Sequence, residues 1–404
     1  MALTRSAPAD AARRIEALLG APLDRANPYG LSVLAGADPA GLPPAPAEVA
    51  AELLAAADGG RYTGGDRLAR VLRPVFGRDL ALGRRWAVQP LLAAGSGGGA
   101  ELAALLGAAG LVAAAGGVLR SAVRTVDERG RQDRELRQWQ PILADAFADL
   151  LACESLTAVA LRALPGPAEE VSVLVAAVGC AVPQLVGEVL DALELVLNET
   201  GFGARQVERR RLAKLMVDQA GARSGRAFGD DGRLRLVRAV GGAVVGSGEL
   251  FRLAAPPAGE AGPPCHLVVA AALDAAAARR AAGPAAADLA RSARRLVTER
   301  RAVHARCRAA AQAGPGDPVV RALADRQALL LLAGAVLGVT AAAGRDGFLG
   351  RPEWALLALV RIIGRLGVPL PGNGTDPREA VWTELAERNR WGLDCDVHGT
   401  ELLW

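Results

Sequence analysis

The stretch "GSGGGAELAALLGAAGLVAAAGGVL", residues 95–119, decides the fold, because it reads as a phosphate-cradling loop, a membrane span or something else. The loop reading rests on Gly95, Gly97 and Ala100, which match G-x-G-x-x-[GA]. That fingerprint needs a β-strand before it, and the preceding "RDLALGRRWAVQPLLAA" has helical spacing instead. The span reading has length in its favour, since Leu102–Leu119 is uncharged for 18 residues. Eleven of those residues are Ala or Gly, however, and such small side chains gain little on leaving water. Neither of these two readings is favoured, and what the stretch is instead stays open on composition and spacing alone.

Composition narrows the rest. A chain of 404 residues that is 51% hydrophobic and 22% charged is globular, with room for two or three cores. Lys214 is the single lysine among 47 basic residues, a bias that resembles GC-rich codon usage more than a functional choice. Acidic and basic residues are interleaved and the net charge is only +4, so no nucleic-acid footprint is expected. The five cysteines (153, 180, 265, 307 and 395) form no C-x-x-C pair, which argues against a zinc knuckle or a disulfide framework. The N-terminal "MALTRSAPADAARRIEALLG" carries no apolar signal core. The expectation is a cytoplasmic protein without membrane or nucleic-acid partners.

Apolar spacing is helical almost everywhere. Leu143, Phe147, Leu150, Ala158 and Leu161 make one buried stripe, and Leu289, Ala293, Leu296, Val303 and Cys307 make another. "RALADRQALLLLAGAVLGVTAAA" is apolar nearly all round and predicts a central helix, while Pro352 marks a helix start. Prolines at 256, 257, 263 and 264 break the pattern. Only "RLRLVRAV", residues 233–240, alternates like a strand. The predicted fold is all-α, with no β-barrel domain.

The order of blocks resembles the acyl-CoA dehydrogenase-like family, in its actinobacterial, secondary-metabolism type. "GGDRLARVLRPVFGRDLALG" (64–83) is similar to that family's N-terminal helical domain, and "RSAVRTVDERGRQ" (120–132) to the helix with its E-R pair. "VPQLVGEVLDALELVLNETGFG" (182–203) resembles the helix that ends in the family's glycine corner, and the region after 323 an extra helical domain of a longer subgroup. The resemblance implies an N-terminal helical domain (1–94), an Ala/Gly-rich joint in place of the family's β-barrel (95–116) and a long-helix bundle (117–248). A Pro/Ala-rich linker (249–283) and a C-terminal helical domain (284–404) follow.

The same resemblance assigns candidate chemistry. Family members oxidise acyl thioesters with FAD, using a carboxylate base. Arg129, in the partial E-R match, would contact the flavin pyrophosphate, and Gly201 and Phe202 stand at the corner near the adenine. Asp231, with Asp230 as an equal candidate, falls where the base is carried; "DDG" is also an ordinary turn or helix-cap sequence. Without a barrel to carry the ring, FAD binding is doubtful. The expected function is therefore a degenerate, acyl-CoA dehydrogenase-like partner subunit in acyl or polyketide thioester metabolism. It would form a homo-oligomer, or a hetero-oligomer with a full-length paralogue. The alternatives are a redox-neutral enzyme on an acyl intermediate, with Asp230 or Asp231 as base, and an FAD-dependent oxidoreductase acting on CH–CH groups.

Two further groups carry reactive side chains. "GLDCDVHG" gathers Asp394, Cys395, Asp396 and His398, but fits no standard zinc spacing and reads as a polar tail. His304 and Cys307 sit one helical turn apart, without the third group a nucleophile pair needs.

Overall fold

The computed structural model describes residues 8–38, 41–56, 64–93, 99–130, 133–200, 206–222, 229–241, 248–254, 265–279, 282–344, 347–372 and 374–404. Its helices are α1 (Pro8–Leu19), α2 (Leu31–Leu34), α3 (Ala47–Ala56), α4 (Gly65–Arg78), α5 (Leu80–Gly83), α6 (Gln89–Ala93), α7 (Gly99–Gly130) and α8 (Gln140–Ala163). There follow α9 (Ala168–Glu199), α10 (Gln206–Ala222), α11 (Asp230–Arg238), α12 (Cys265–Ala278), α13 (Pro284–Ala310), α14 (Pro318–Ala342), α15 (Pro352–Arg365) and α16 (Arg378–Arg390). Among the described residues the one β feature is an isolated antiparallel bridge between Leu393 and Glu401. The chain is all-α.

Residues 99–119 form the first two-thirds of α7, a single helix of 32 residues. The boundary expected between 116 and 117 thus falls inside a continuous helix. Small residues make α7 central, because they let neighbours approach its axis on every side. Gly110 faces the Phe76 ring, Gly116 faces Arg73 and Gly117 lies under Arg211, and a Cβ at 110 or 117 would overlap those groups. Ala113, Ala114, Ala115, Val118 and Leu119 are buried between them. Helix α14 uses the same device: Gly334 abuts the Val269 carbonyl of α12, and Gly338 abuts the Phe251 ring.

One large core joins α4, α7, α8 and α9 to α11–α16, running across the boundaries expected at 117, 249 and 284. A smaller core gathers Ile15, Leu19, Leu34, Val49, Val75 and Trp86 from the first helices. Two expectations are corrected. The alternating segment 233–240 lies mostly in α11, where Leu234 and Val237 are buried three residues apart on one face. The segment read as a linker carries α12, which packs between α13 and α14.

Helix starts follow local chemistry. Pro284, Pro318 and Pro352 occupy first helical positions, where no backbone donor is lost. The Asp317 carboxylate caps α14 by accepting from Val319 N at 2.8 Å. Three helices, α7, α9 and α14, are long and apolar enough to cross a membrane, and 83% of each apolar window is buried within the chain.

Candidate functional site

Helices α1, α4, α7 and α10 and the segment after α16 enclose a cavity of about 330 Å³. Its apolar wall includes Leu23, Leu31, Leu402 and Trp404. Its polar wall is unbalanced: seven arginines and only four carboxylates line it.

Arg73 on α4 is the balanced member. It is 8% exposed, and its Nε donates to Asp394 Oδ2 at 2.6 Å while Nη1 donates to Glu154 Oε1 at 2.9 Å. Asp396 lies 3.8 Å from the same Nε. The acids come from a tight turn: Asp396 accepts from Thr400 N at 2.9 Å and Thr400 Oγ1 at 2.6 Å, and Asp394 N donates to Thr400 O at 2.8 Å. Arg388 of α16 braces this turn from inside by donating to the Asp394 and Asp396 carbonyls. "GLDCDVHG" is thus not a loose polar tail: Asp394, Cys395, Asp396 and Val397 are buried. The cause is the guanidinium of Arg73, 321 residues upstream of Asp394. Among the described residues no three His, Cys, Asp or Glu side chains are placed to hold a metal ion.

Three other arginines in the wall are less closely paired than Arg73. Arg78 is 6% exposed, and its guanidinium donates only to the carbonyls of Gly20 and, at 3.4 Å, Tyr29. Arg211 of α10 donates to the Gly77 carbonyl across Gly117. Arg120 of α7 approaches Asp394 Oδ1 no closer than 3.8 Å, and its buried Nε has no hydrogen-bond partner. Among the described residues neither Arg78 nor Arg211 pairs with a carboxylate. Burial pushes Arg78 and Arg211 down to about 10; the Arg120 charge lowers both further, opposed by Glu16 at Arg78 and by Glu208 and Asp79 at Arg211. Burial also raises the Glu16 carboxyl. Guanidiniums crowded at a largely buried wall with only distant carboxylates are costly, so three together mark a place where an anion would be stabilising.

A smaller cavity of about 40 Å³ lies behind Arg70 and Arg73, lined also by Glu154 and His398. Burial pushes the Glu154 carboxyl up to about 7, against the pull of Arg73, and pushes His398 down to about 4. For Asp394 burial acts upward, but Arg73 and Arg120 outweigh it and hold the carboxyl at about 2. The raised Glu154 has a defined stability sign. Folding makes this group easier to protonate, so its contribution is fully present below pH 4.5 and is lost as pH rises through about 7. Glu154→Gln removes that loss. In urea titrations at a series of pH values, the variant's stability relative to wild type is expected to climb from pH 4.5 to just above 7. A flat difference would refute the assignment. His398 has the opposite slope in both proteins and cancels from the comparison.

The positions assigned from sequence lie elsewhere. Asp230 is half-exposed on the first turn of α11 and is paired to Arg321 at 3.1 Å, whose hydrogen bond holds its carboxyl below the usual range. Asp231 beside it is exposed. Neither lines any of the three cavities discussed here. Arg129 donates from Nη1 to Thr200 O at 2.6 Å, closing the C-terminal turn of α9. Gly201 and Phe202 lie outside the described residues. Arg129 thus uses one of its five N–H donors on a backbone carbonyl. Of the His304–Cys307 pair, burial pushes the thiol up to about 11 and the imidazole down to about 4, the reverse of an activated thiolate.

Sequence reasoning passed over the arginine cavity. Arg70 and Arg73, and likewise Arg120 and Arg124, repeat at three- and four-residue spacing on single helix faces. Beside the Gly116–Gly117 pair, that spacing is the signal available. The third cavity, about 500 Å³ between α12 and α14, is apolar and lined by Val268, Ala272, Leu337 and Ala341. The chain matches no family model, and neither curated proteins nor solved structures show a match to it.

Proposed function

We propose that this chain is a helical binding protein for a small anionic ligand that also carries an apolar portion, taken into the cavity between α1, α4, α7 and α10. The observation that carries this reading is the set of guanidiniums of Arg78, Arg120 and Arg211, drawn from three helices onto one cavity: Arg78 and Arg211 donate to backbone carbonyls, and Arg120, 3.8 Å from Asp394, keeps a buried Nε without a hydrogen-bond partner. Arginine suits the task, since its planar fork matches carboxylate and phosphate oxygens and keeps its charge when buried. A volume near 330 Å³ is at the small end of ligand sites. Acyl thioesters of phosphorylated carriers, the class the family resemblance implies, share this chemistry: an anionic arm joined to an apolar chain. A role in thioester metabolism is proposed on that resemblance alone, and an intracellular location on the unpaired cysteines.

Calorimetric titration with hexanoate, hexyl sulfate and hexyl phosphate at pH 7.5 tests the reading. One-to-one binding of at least one of them is expected, weakened tenfold or more in the Arg120→Gln, Arg211→Gln double variant. Failure of all three to bind, or equal binding by the double variant, would overturn it.

Gly117→Ala separates site from scaffold. The added methyl collides with the tip of the Arg211 side chain, a flexible group that can swing away, while Ala is favoured over Gly in a helix by about 1 kcal/mol. The expected variant melts no lower than wild type and binds the anion about tenfold more weakly, the loss of one charge-assisted hydrogen bond of roughly 1.5–3 kcal/mol. A lowered melting temperature with unchanged affinity would contradict it.

A further inference from the structure

We infer that the group read by Arg78, Arg120 and Arg211 is a phosphomonoester dianion, in preference to a carboxylate or a sulfate ester; this rests on the anion-binding reading above. Charge is the first ground. The cavity wall carries seven arginines against four carboxylates, and Arg73 already engages Asp394 and Glu154. A single negative charge would leave most of the surplus unbalanced and the three guanidiniums still repelling one another. A phosphomonoester brings a charge of about −1.5 to −2 at neutral pH and three strong acceptor oxygens.

Donor supply is the second ground. Arg120 Nε, Arg70 Nε and Arg73 Nη2 are buried at this wall without hydrogen-bond partners. The Arg73 side chain is nine-tenths buried, so its orphaned nitrogen is fixed by the fold. A planar carboxylate presents two oxygens to such a set, and a tetrahedral phosphate presents three in different directions. The third ground is the opposite wall, where Leu23, Leu31, Leu402 and Trp404 suit the organic part of an ester better than free inorganic phosphate.

The same three hexyl probes decide the matter, because hexyl phosphate and hexyl sulfate share a tetrahedral head and differ by a charge. Hexyl phosphate is expected to bind at least tenfold more tightly than hexyl sulfate or hexanoate at pH 7.5. In Arg120→Gln that preference should fall to within about threefold. Arg211→Gln provides the same readout should Arg120→Gln fold poorly. Equal affinity for hexyl phosphate and hexyl sulfate overturns the phosphate assignment and leaves the anion-binding reading standing. Absence of binding by all three overturns both.

Discussion

Replacing Asp149 with alanine is expected to destabilise the protein by about 3–5 kcal/mol, the usual cost of removing one partner from a buried ion pair. The Asp149 side chain is 1% exposed in the middle of α8. Its Oδ2 accepts from Arg361 Nε at 2.8 Å and Arg365 Nη2 at 2.6 Å, and its Oδ1 accepts from Arg365 Nη1 at 2.9 Å. Arg365 and Arg361 lie one turn apart on α15, so a single carboxylate clamps two guanidiniums and fixes α15 against α8. Arg361 retains Asp145 at 2.9 Å and Arg365 retains Glu188 at 2.7 Å after the change, which keeps the cost from doubling. Asp149→Asn should recover part of the loss by preserving one acceptor. Urea unfolding of the three proteins at one pH reads this directly, and an alanine variant within 1 kcal/mol of wild type would show that the clamp is not needed.

Arg73→Leu is the second large effect, again about 3–5 kcal/mol, and it has a local signature. Its loss leaves Glu154, Asp394 and Asp396 buried around a vacated cation. Glu154 then keeps the upward push of burial without the Arg73 charge, Asp394 keeps only the more distant Arg120, and the turn from Asp394 to Thr400 loses its anchor on α4. Amide exchange in the segment 393–404 should accelerate well beyond that of α8 and α9, because the opening is local. Adding Glu154→Gln to Arg73→Leu removes one of the stranded charges, so the double variant should be more stable than the single. Additive losses would mean that the two side chains do not interact.

These expectations show what the sequence disclosed. The stripe from Leu143 to Leu161 and the apolar helix after residue 318 were legible because large apolar residues at helical spacing leave few alternatives. The stretch from 99 to 119 was illegible for the opposite reason. Ala and Gly carry little periodic contrast, so a helix buried on every side has the composition of a joint. Its glycines take their meaning only from Phe76, Arg73 and Arg211, which the fold brings over them. The segment at 233–240 alternated by accident of three arginines spaced among apolar residues, and packing on α9 and α14 settled it as helix. "GLDCDVHG" read as a tail because its partner, Arg73, lies at the other end of the chain. The arginine cavity was hidden by abundance: with 47 basic residues in the chain, spacing alone does not separate the unpaired guanidiniums from the paired ones.

The resemblance to acyl-CoA dehydrogenase-like proteins directed attention to Asp230, Asp231 and Arg129. Two of those side chains are held in contacts remote from the arginine cavity, and Asp231 is exposed beside the first. A thioester-binding role is compatible with the cavity described here and does not depend on those three residues.

The central claim is that Arg78, Arg120 and Arg211 form an anion site. Its most direct measurement is anomalous diffraction from crystals soaked in tungstate, a heavy tetrahedral oxyanion. The account predicts a peak inside the cavity between α4, α7 and α10, within hydrogen-bonding reach of Arg120 Nε, and no peak there in Arg120→Gln, Arg211→Gln crystals. Tungstate bound elsewhere on the surface with that cavity empty would contradict it.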